Sequence, residues 1–164
     1  MVLGGCREVT IRKWLTLPSC GRADGLERLA ETLPEGRAIE LLCIAMSDSS
    51  WYVRCRAAEV AASFPVPCLI YRLGHSASHD VSWPVRASAV ESLSFGPPQR
   101  VWRTIAKVLR TDCNAHVRAY AAISLALTGV QCAKQILQDR VRAETSWPAP
   151  FREDRLRRDL LSEC

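Results

Sequence analysis

Carboxylates and guanidinium groups recur along this chain at a fixed interval. Asp48, Asp80 and Asp112 each stand six residues before an arginine, Arg54, Arg86 and Arg118, and each pair lies 32 residues from the next. Guanidinium and carboxylate make paired, charge-assisted hydrogen bonds. Such columns suit a ladder for a charged ligand or a purely structural role, and the structural reading is adopted here. Glu27, Glu59 and Glu91 form a second acidic row at the same spacing. Arg100, Arg103, Lys107 and Arg110 fall on one side of a helix, either as a solvated face or as a phosphate-binding stripe. Cys68, His75 and His79 share one helix side, because gaps of seven and four complete turns, and all three are metal-ligand types. Cys68 lies two turns from His75 and no fourth ligand accompanies them, so no metal and no cofactor is expected. With three histidines and no Gly-x-Ser-x-Gly, Walker or dinucleotide-binding glycine pattern, no catalytic residue is assigned and the chain is expected not to be an enzyme.

The interval itself dictates the elements that must carry these groups. Asp-Ser-Ser-Trp-Tyr-Val-Arg at position 48, Asp-Val-Ser-Trp-Pro-Val-Arg at 80 and Asp-Cys-Asn-Ala-His-Val-Arg at 112 are copies of one turn, and a period of this size marks a repeat array. Each unit reads as helix A, a turn opened by the aspartate, then helix B. Ser50, Ser82, Asn114 and Ser146 occupy a column of helix N-caps, followed by Trp51, Trp83 and Trp147, with Pro84 and Pro148 in the first helical turn. Within helix B, Val53, Val85 and Val117 match, as do Ala57, Ala89 and Ala121, and then Ala61, Leu93 and Leu125. Steps of four keep them on one buried face. Helix A carries Leu41, Leu73 and Ile105 in one column and Ala38, Ile70 and Trp102 in another. Gly96-Pro97-Pro98 precedes one helix A, and Gly129 closes a helix B.

Counting back one period from Arg54 reaches Arg22, so residues 1–33 read as a degenerate first unit with Val9, Ile11 and Trp14 on its helix A. Units 34–65, 66–97 and 98–129 follow, and 130–164 reads as a degenerate last unit, with Glu144 in the aspartate column and a final helix over 151–161. The prediction is an all-α chain in a single domain of 1–164: an α-solenoid, an armadillo-type superhelix of about five 32-residue helical hairpins, with atypical ends that face water.

Composition agrees with this. The 164 residues are 48% apolar and 24% charged, a globular balance, with only 7% aromatic and much alanine, which suits close helix packing. No run approaches the roughly 20 apolar residues of a membrane span, so no membrane partner is expected. Leu3 to Cys6 looks like a lipoprotein cleavage box but lacks the basic start and apolar stretch such a box requires. Eight cysteines without any Cys-x-x-Cys pair read as reduced thiols in a cytoplasmic protein rather than as a disulfide framework. A net charge of +5 permits an acidic or nucleic-acid partner without requiring one.

With Asp48…Val53-Arg54, Asp80…Val85-Arg86 and Asp112…Val117-Arg118, the chain resembles the HEAT-repeat family, especially its short HEAT-like branch known from bilin lyases. The likeness covers residues 35–128 well and the ends weakly. It departs in its short unit and in lacking a proline within helix A. The resemblance implies a solenoid whose stacked B helices line a concave binding surface. On helix B, the side opposite the buried stripe carries Tyr52, Cys55, Glu59 and Ala62, then Pro84, Ala87, Glu91 and Ser94, then His116, Ala119, Ile123 and Ala126. A groove of small side chains, with an acidic row and aromatic residues at one lip, suits a basic or helical segment of another protein. The expected function is a non-enzymatic protein-binding module, an adaptor or scaffold, engaging its partner through Glu27, Trp51, Tyr52, Glu59, Trp83, Glu91, His116 and Tyr120. The resemblance also admits an immunity or inhibitor protein that neutralises a toxin or enzyme, and a nucleic-acid binder using Arg100, Arg103, Lys107 and Arg110. A bilin-lyase-like enzyme is a further alternative. The peptide-iron hydroxylases of this branch need His-Glu pairs that are missing here.

Overall fold

A computed structural model describes residues 11–143 and Pro148. Residues 11–15 are helical, and eight helices follow: α1 (Ser19–Thr32), α2 (Glu35–Ala45), α3 (Trp51–Ala61), α4 (Pro67–His79), α5 (Trp83–Leu93), α6 (Pro98–Thr111), α7 (Ala115–Leu127) and α8 (Gln131–Ala143). There is no strand among the described residues. The helices form two layers. The A helices α2, α4, α6 and α8 alternate with the B helices α1, α3, α5 and α7, so the repeat is an α-solenoid of helical hairpins. The readings on Val9, Glu144, Ser146, Trp147 and the final helix over 151–161 lie outside the described residues.

Local chemistry sets the boundaries. Pro34, Pro67 and Pro97-Pro98 open α2, α4 and α6, where a missing amide proton costs no helical bond. Ser50, Ser82 and Asn114 hold the N-cap positions of α3, α5 and α7. Only the Asn114 side chain caps, accepting from the amides of His116 and Val117, whereas the hydroxyls of Ser50 and Ser82 make no capping bond. The first turns of α3 and α5 are exposed, and water can solvate their free amides. Gly129 ends α7 with φ of 62°, the left-handed conformation that closes helices and that glycine adopts without a Cβ penalty.

The core runs the length of the array. Val53, Val85, Val117, Ala57, Ala89, Ala121, Ala61, Leu93 and Leu125 are all buried, as their columns predict, against Leu41, Leu73 and Ile105. Ile11 and Trp14 are buried too, and the Trp14 indole N–H donates to the Arg22 carbonyl, which ties the degenerate first unit to the rest. Ala38 is buried, while Ile70 and Trp102 of the same column are only half-buried. The two layers pack unequally. Successive B helices lie in close contact along their lengths, and successive A helices touch much less. A stack that is tight on one side and loose on the other curves toward the tight side, so the B helices form the inner surface.

The Asp and Arg columns join one unit to the next. Arg22 grips Asp48 through Nε and Nη2, each at 2.8 Å. Arg54 holds Asp80 at 2.8 and 2.9 Å, and Arg86 holds Asp112 at 2.7 and 3.0 Å. The remaining Nη1 turns back to its own unit: in Arg54 it donates to the Asp48 carbonyl, in Arg86 to that of Asp80, and in Arg118 to that of Asp112. Arg54 and Arg86 therefore each clasp two turns at once. Each carboxylate also accepts the amide two residues on, from Ser50, Ser82 and Asn114. Burial pushes the carboxyls of Asp48 and Asp80 up, but the arginine and amide hydrogen bonds outweigh it and hold both below the ordinary value of 3.8.

Removal of one carboxylate leaves a half-buried guanidinium without its counter-charge. Asp80→Ala is expected to cost about 2–3 kcal/mol of unfolding free energy in urea titration, and Asp80→Asn less, because its amide oxygen still accepts from Ser82. A carboxyl held low stabilises the fold above its unfolded-state value and ceases to do so as pH falls through its folded one. Thermal stability should therefore drop as pH falls below about 4, and the drop should be smaller in Asp80→Asn.

Candidate functional site

The B layer presents its open stripe at Tyr52, Arg56 and Glu59 on α3 and at Ser63 just past its end. The matching positions are Pro84, Ser88 and Glu91 along α5 with Phe95 just past its end, and His116, Tyr120, Ile123 and Leu127 on α7. This corrects the expected groove by one position. The column Cys55, Ala87 and Ala119 was assigned to the open side. Ala87 and Ala119 are buried, and the Cys55 thiol reaches the Ser88 hydroxyl at 3.0 Å and Glu59 at 3.6 Å. Small side chains in this column let consecutive B helices approach, which seals it. Arg56, Ser88, Phe95 and Leu127 belong to this open stripe and are not singled out by the sequence reading. The signal was present: three small residues at one repeat position mark a helix-to-helix contact rather than a cleft.

One lip of the surface is aromatic. Trp51 and Trp83 are 50% and 42% exposed, although both are large apolar residues on first turns. Trp51 meets Tyr52 edge to face at 5.9 Å between centroids. Trp83 stacks on His116 of the next unit at 5.2 Å. Tyr120, one turn beyond His116, is exposed as well. The sequence-predicted residues Trp51, Tyr52, Trp83, His116 and Tyr120 thus stand at the start of three successive B helices. At the far rim Phe95 and Leu127, about two-thirds exposed, add apolar surface.

The other end of the layer is charged. Asp24, Glu27 and Glu31 on α1 are exposed. Glu27 and Glu59 fall in one row as their spacing predicts, but Arg56 stands between them, bonding Glu59 within its own helix and Glu27 at 3.3 Å across to α1. Glu91 continues the row, exposed and without an ion-pair partner among the described residues. The inner face therefore grades from acidic at α1 to aromatic and aliphatic at α5 and α7.

The remaining predicted groups sit in the A layer. Arg100, Arg103, Lys107 and Arg110 are all exposed on α6, with the Arg103 guanidinium 5.0 Å from the Trp102 ring centroid. His75 and His79 stack on α4 at 4.9 Å, and the described residues hold no group of three or more metal-ligating side chains. Cys20, Cys43, Cys55, Cys68 and Cys113 are free thiols. No helix among the described residues is long and apolar enough to cross a membrane.

Comparison with known families matches residues 39–126 to the family described as HEAT repeats. Comparison with curated proteins finds no match. The matched span runs from within α2 almost to the end of α7 and holds the aromatic lip and the Arg54–Asp80 and Arg86–Asp112 links of the relay.

Burial raises the Cys55 thiol above its ordinary range; the Ser88 hydrogen bond opposes this, and the Glu59 carboxylate adds to it. Thiolate is the reactive form. Mass-spectrometric mapping of iodoacetamide labelling at mild alkaline pH is expected to find Cys55 modified at least about tenfold more slowly than exposed Cys68 and Cys113. Equal rates would mean that α3 and α5 are not sealed along this column.

Proposed function

The chain belongs to the HEAT-repeat family, and from that premise we propose that it is a non-enzymatic protein-binding module whose inner B-helix face receives a helical segment of a partner. The observation that carries this reading is the aromatic lip: Trp51, Tyr52, Trp83, His116 and Tyr120, exposed on three successive B helices. Tryptophan and tyrosine are enriched among the few residues that carry most of the binding energy at protein interfaces, and clustered exposed apolar surface of this kind marks interaction sites. The helices beneath them are fixed by the buried stripe and by the Asp–Arg relay. The surface is therefore preorganised and loses little conformational entropy on binding.

The grading of the face specifies the segment. An amphipathic helix with large apolar side chains toward α5 and α7, and lysine or arginine toward α1, matches Phe95, Leu127 and the aromatic lip at one end and Asp24, Glu27 and Glu31 at the other. Arg56 offsets part of the acidic row, so the aromatic groups supply affinity and the acidic ones orientation. An adaptor and an inhibitor would use the same face. They differ in whether the partner keeps its own activity when bound.

Affinity capture from native cells followed by calorimetry on the purified pair tests the proposal. Trp51→Ala and Trp83→Ala are each expected to weaken binding by about 2 kcal/mol. Glu27→Lys should mainly slow association and reduce its salt dependence. A partner that binds both tryptophan variants as tightly as the parent chain would refute this reading. Loss of the partner's own activity at one equivalent of this chain would identify an inhibitor.

A further inference from the structure

The A layer offers a second surface, with different chemistry. Helices α4 and α6 flank a groove of about 460 Å³ lined by Arg100 and Lys107 from α6 and by Tyr71, His75 and His79 from α4. A Cβ at Gly74 would lie 3.7 Å from Thr104 Cγ2, so the two helices meet across the groove floor. No carboxylate lines this groove, and among the described residues neither Arg100 nor Lys107 has an ion-pair partner. The two cations sit two turns apart, about 10 Å along the helix. Arg103 and Arg110 extend the same stripe into solvent. Like charges gathered on one helix repel one another, and a bound polyanion relieves that repulsion.

The aromatic component comes from the neighbouring helix. Tyr71 is 76% exposed, and farther along the same helix the His75 and His79 rings stack on each other at 4.9 Å. These three residues also border a second groove, of about 780 Å³, on the other side of α4, where Arg72 supplies a cation. The carboxylates in that groove, Asp48 and Asp80, are already held by Arg22 and Arg54. Tyr71, His75 and His79 thus make a ridge of rings with cations on both flanks.

We propose that this ridge and its flanking grooves bind single-stranded nucleic acid, with backbone phosphates on Arg72, Arg100 and Lys107 and a base stacked on Tyr71. Basic grooves interleaved with stacking rings are the general means of holding a single strand. A duplex keeps its base faces stacked on one another and out of reach of such a ring. An acidic peptide would satisfy the cations and leave the Tyr71 ring uncovered. The surface shares no residue with the aromatic lip of the B layer, so a strand and a protein partner can occupy the chain together.

Fluorescence anisotropy of the full chain with a labelled oligothymidylate tests this at low salt, with circular dichroism to verify that each surface variant is folded. Binding is expected and should weaken as salt rises. In Arg100→Ala plus Lys107→Ala the logarithmic salt slope should become shallower by roughly 1.4, two contacts at about 0.7 each on a single strand. Tyr71→Ala should lose about tenfold in affinity at an unchanged slope, and Tyr71→Phe should retain it. Trp51→Ala plus Trp83→Ala should leave oligonucleotide binding intact, which separates this surface from the protein-binding face. The proposal is overturned if nothing binds at low salt, or if Tyr71→Ala binds as tightly as the parent. Tighter binding of a duplex of the same sequence overturns it too. So does displacement by polyglutamate as effective as by unlabelled oligonucleotide, which would instead mark the ridge as a site for an acidic protein segment.

Discussion

A guanidinium that grips the carboxylate of the following unit while donating to the backbone of its own is the constraint on which this array depends. A solenoid has no distant contacts to fix its geometry; each unit meets only its neighbours. Buried alanines and leucines supply the driving force for stacking, but they are non-directional. The bidentate pairs Arg22–Asp48, Arg54–Asp80 and Arg86–Asp112 are directional. They set the offset between successive turns, and with it the positions of the first turns of α3, α5 and α7, where Trp51, Trp83 and His116 stand.

Both faces inherit their character from how closely the layers are packed. In the B layer Cys55, Ala87 and Ala119 allow consecutive helices to close up, so the inner face is continuous and its exposed rings form a strip that spans three units. In the A layer wider spacing leaves grooves between helices, and the side chains along them, Tyr71, His75, Arg100 and Lys107, face across a gap rather than along a wall. A continuous hard surface suits shape complementarity with a folded partner. Separated grooves with exposed cationic side chains suit a flexible polyanion.

Periodicity makes much of this legible in the sequence alone. The 32-residue interval places the Val53, Ala57 and Ala61 columns of helix B correctly, because a repeated buried face leaves a repeated apolar residue, and it places Arg22 in the relay although the first unit keeps little else of the motif. The exact open face was harder. Tyr52 and Glu59 were placed on it, but the positions between and beyond them, Arg56 and Ser63, were displaced to Cys55 and Ala62. A helix turn of 3.6 residues makes i+3 and i+4 nearly equivalent on one helix, and only contacts with the next helix distinguish them. The position of Tyr71 beside the basic stripe is not readable from the sequence, since the ring and the cations lie on helices from different units. Capping followed the column in position and only at Asn114 in bonding, because a solvated helix end tolerates a serine that leaves its cap unmade.

The inequality between the layers has a mechanical consequence. A rod fastened firmly along one edge and loosely along the other bends most readily by opening and shutting the loose edge, as a fan turns about its rivet. Deformation concentrates where fewest side chains interlock, so a load that straightens or tightens the superhelix changes the gaps between α2, α4, α6 and α8 far more than the spacing of the tryptophans on the inner spine.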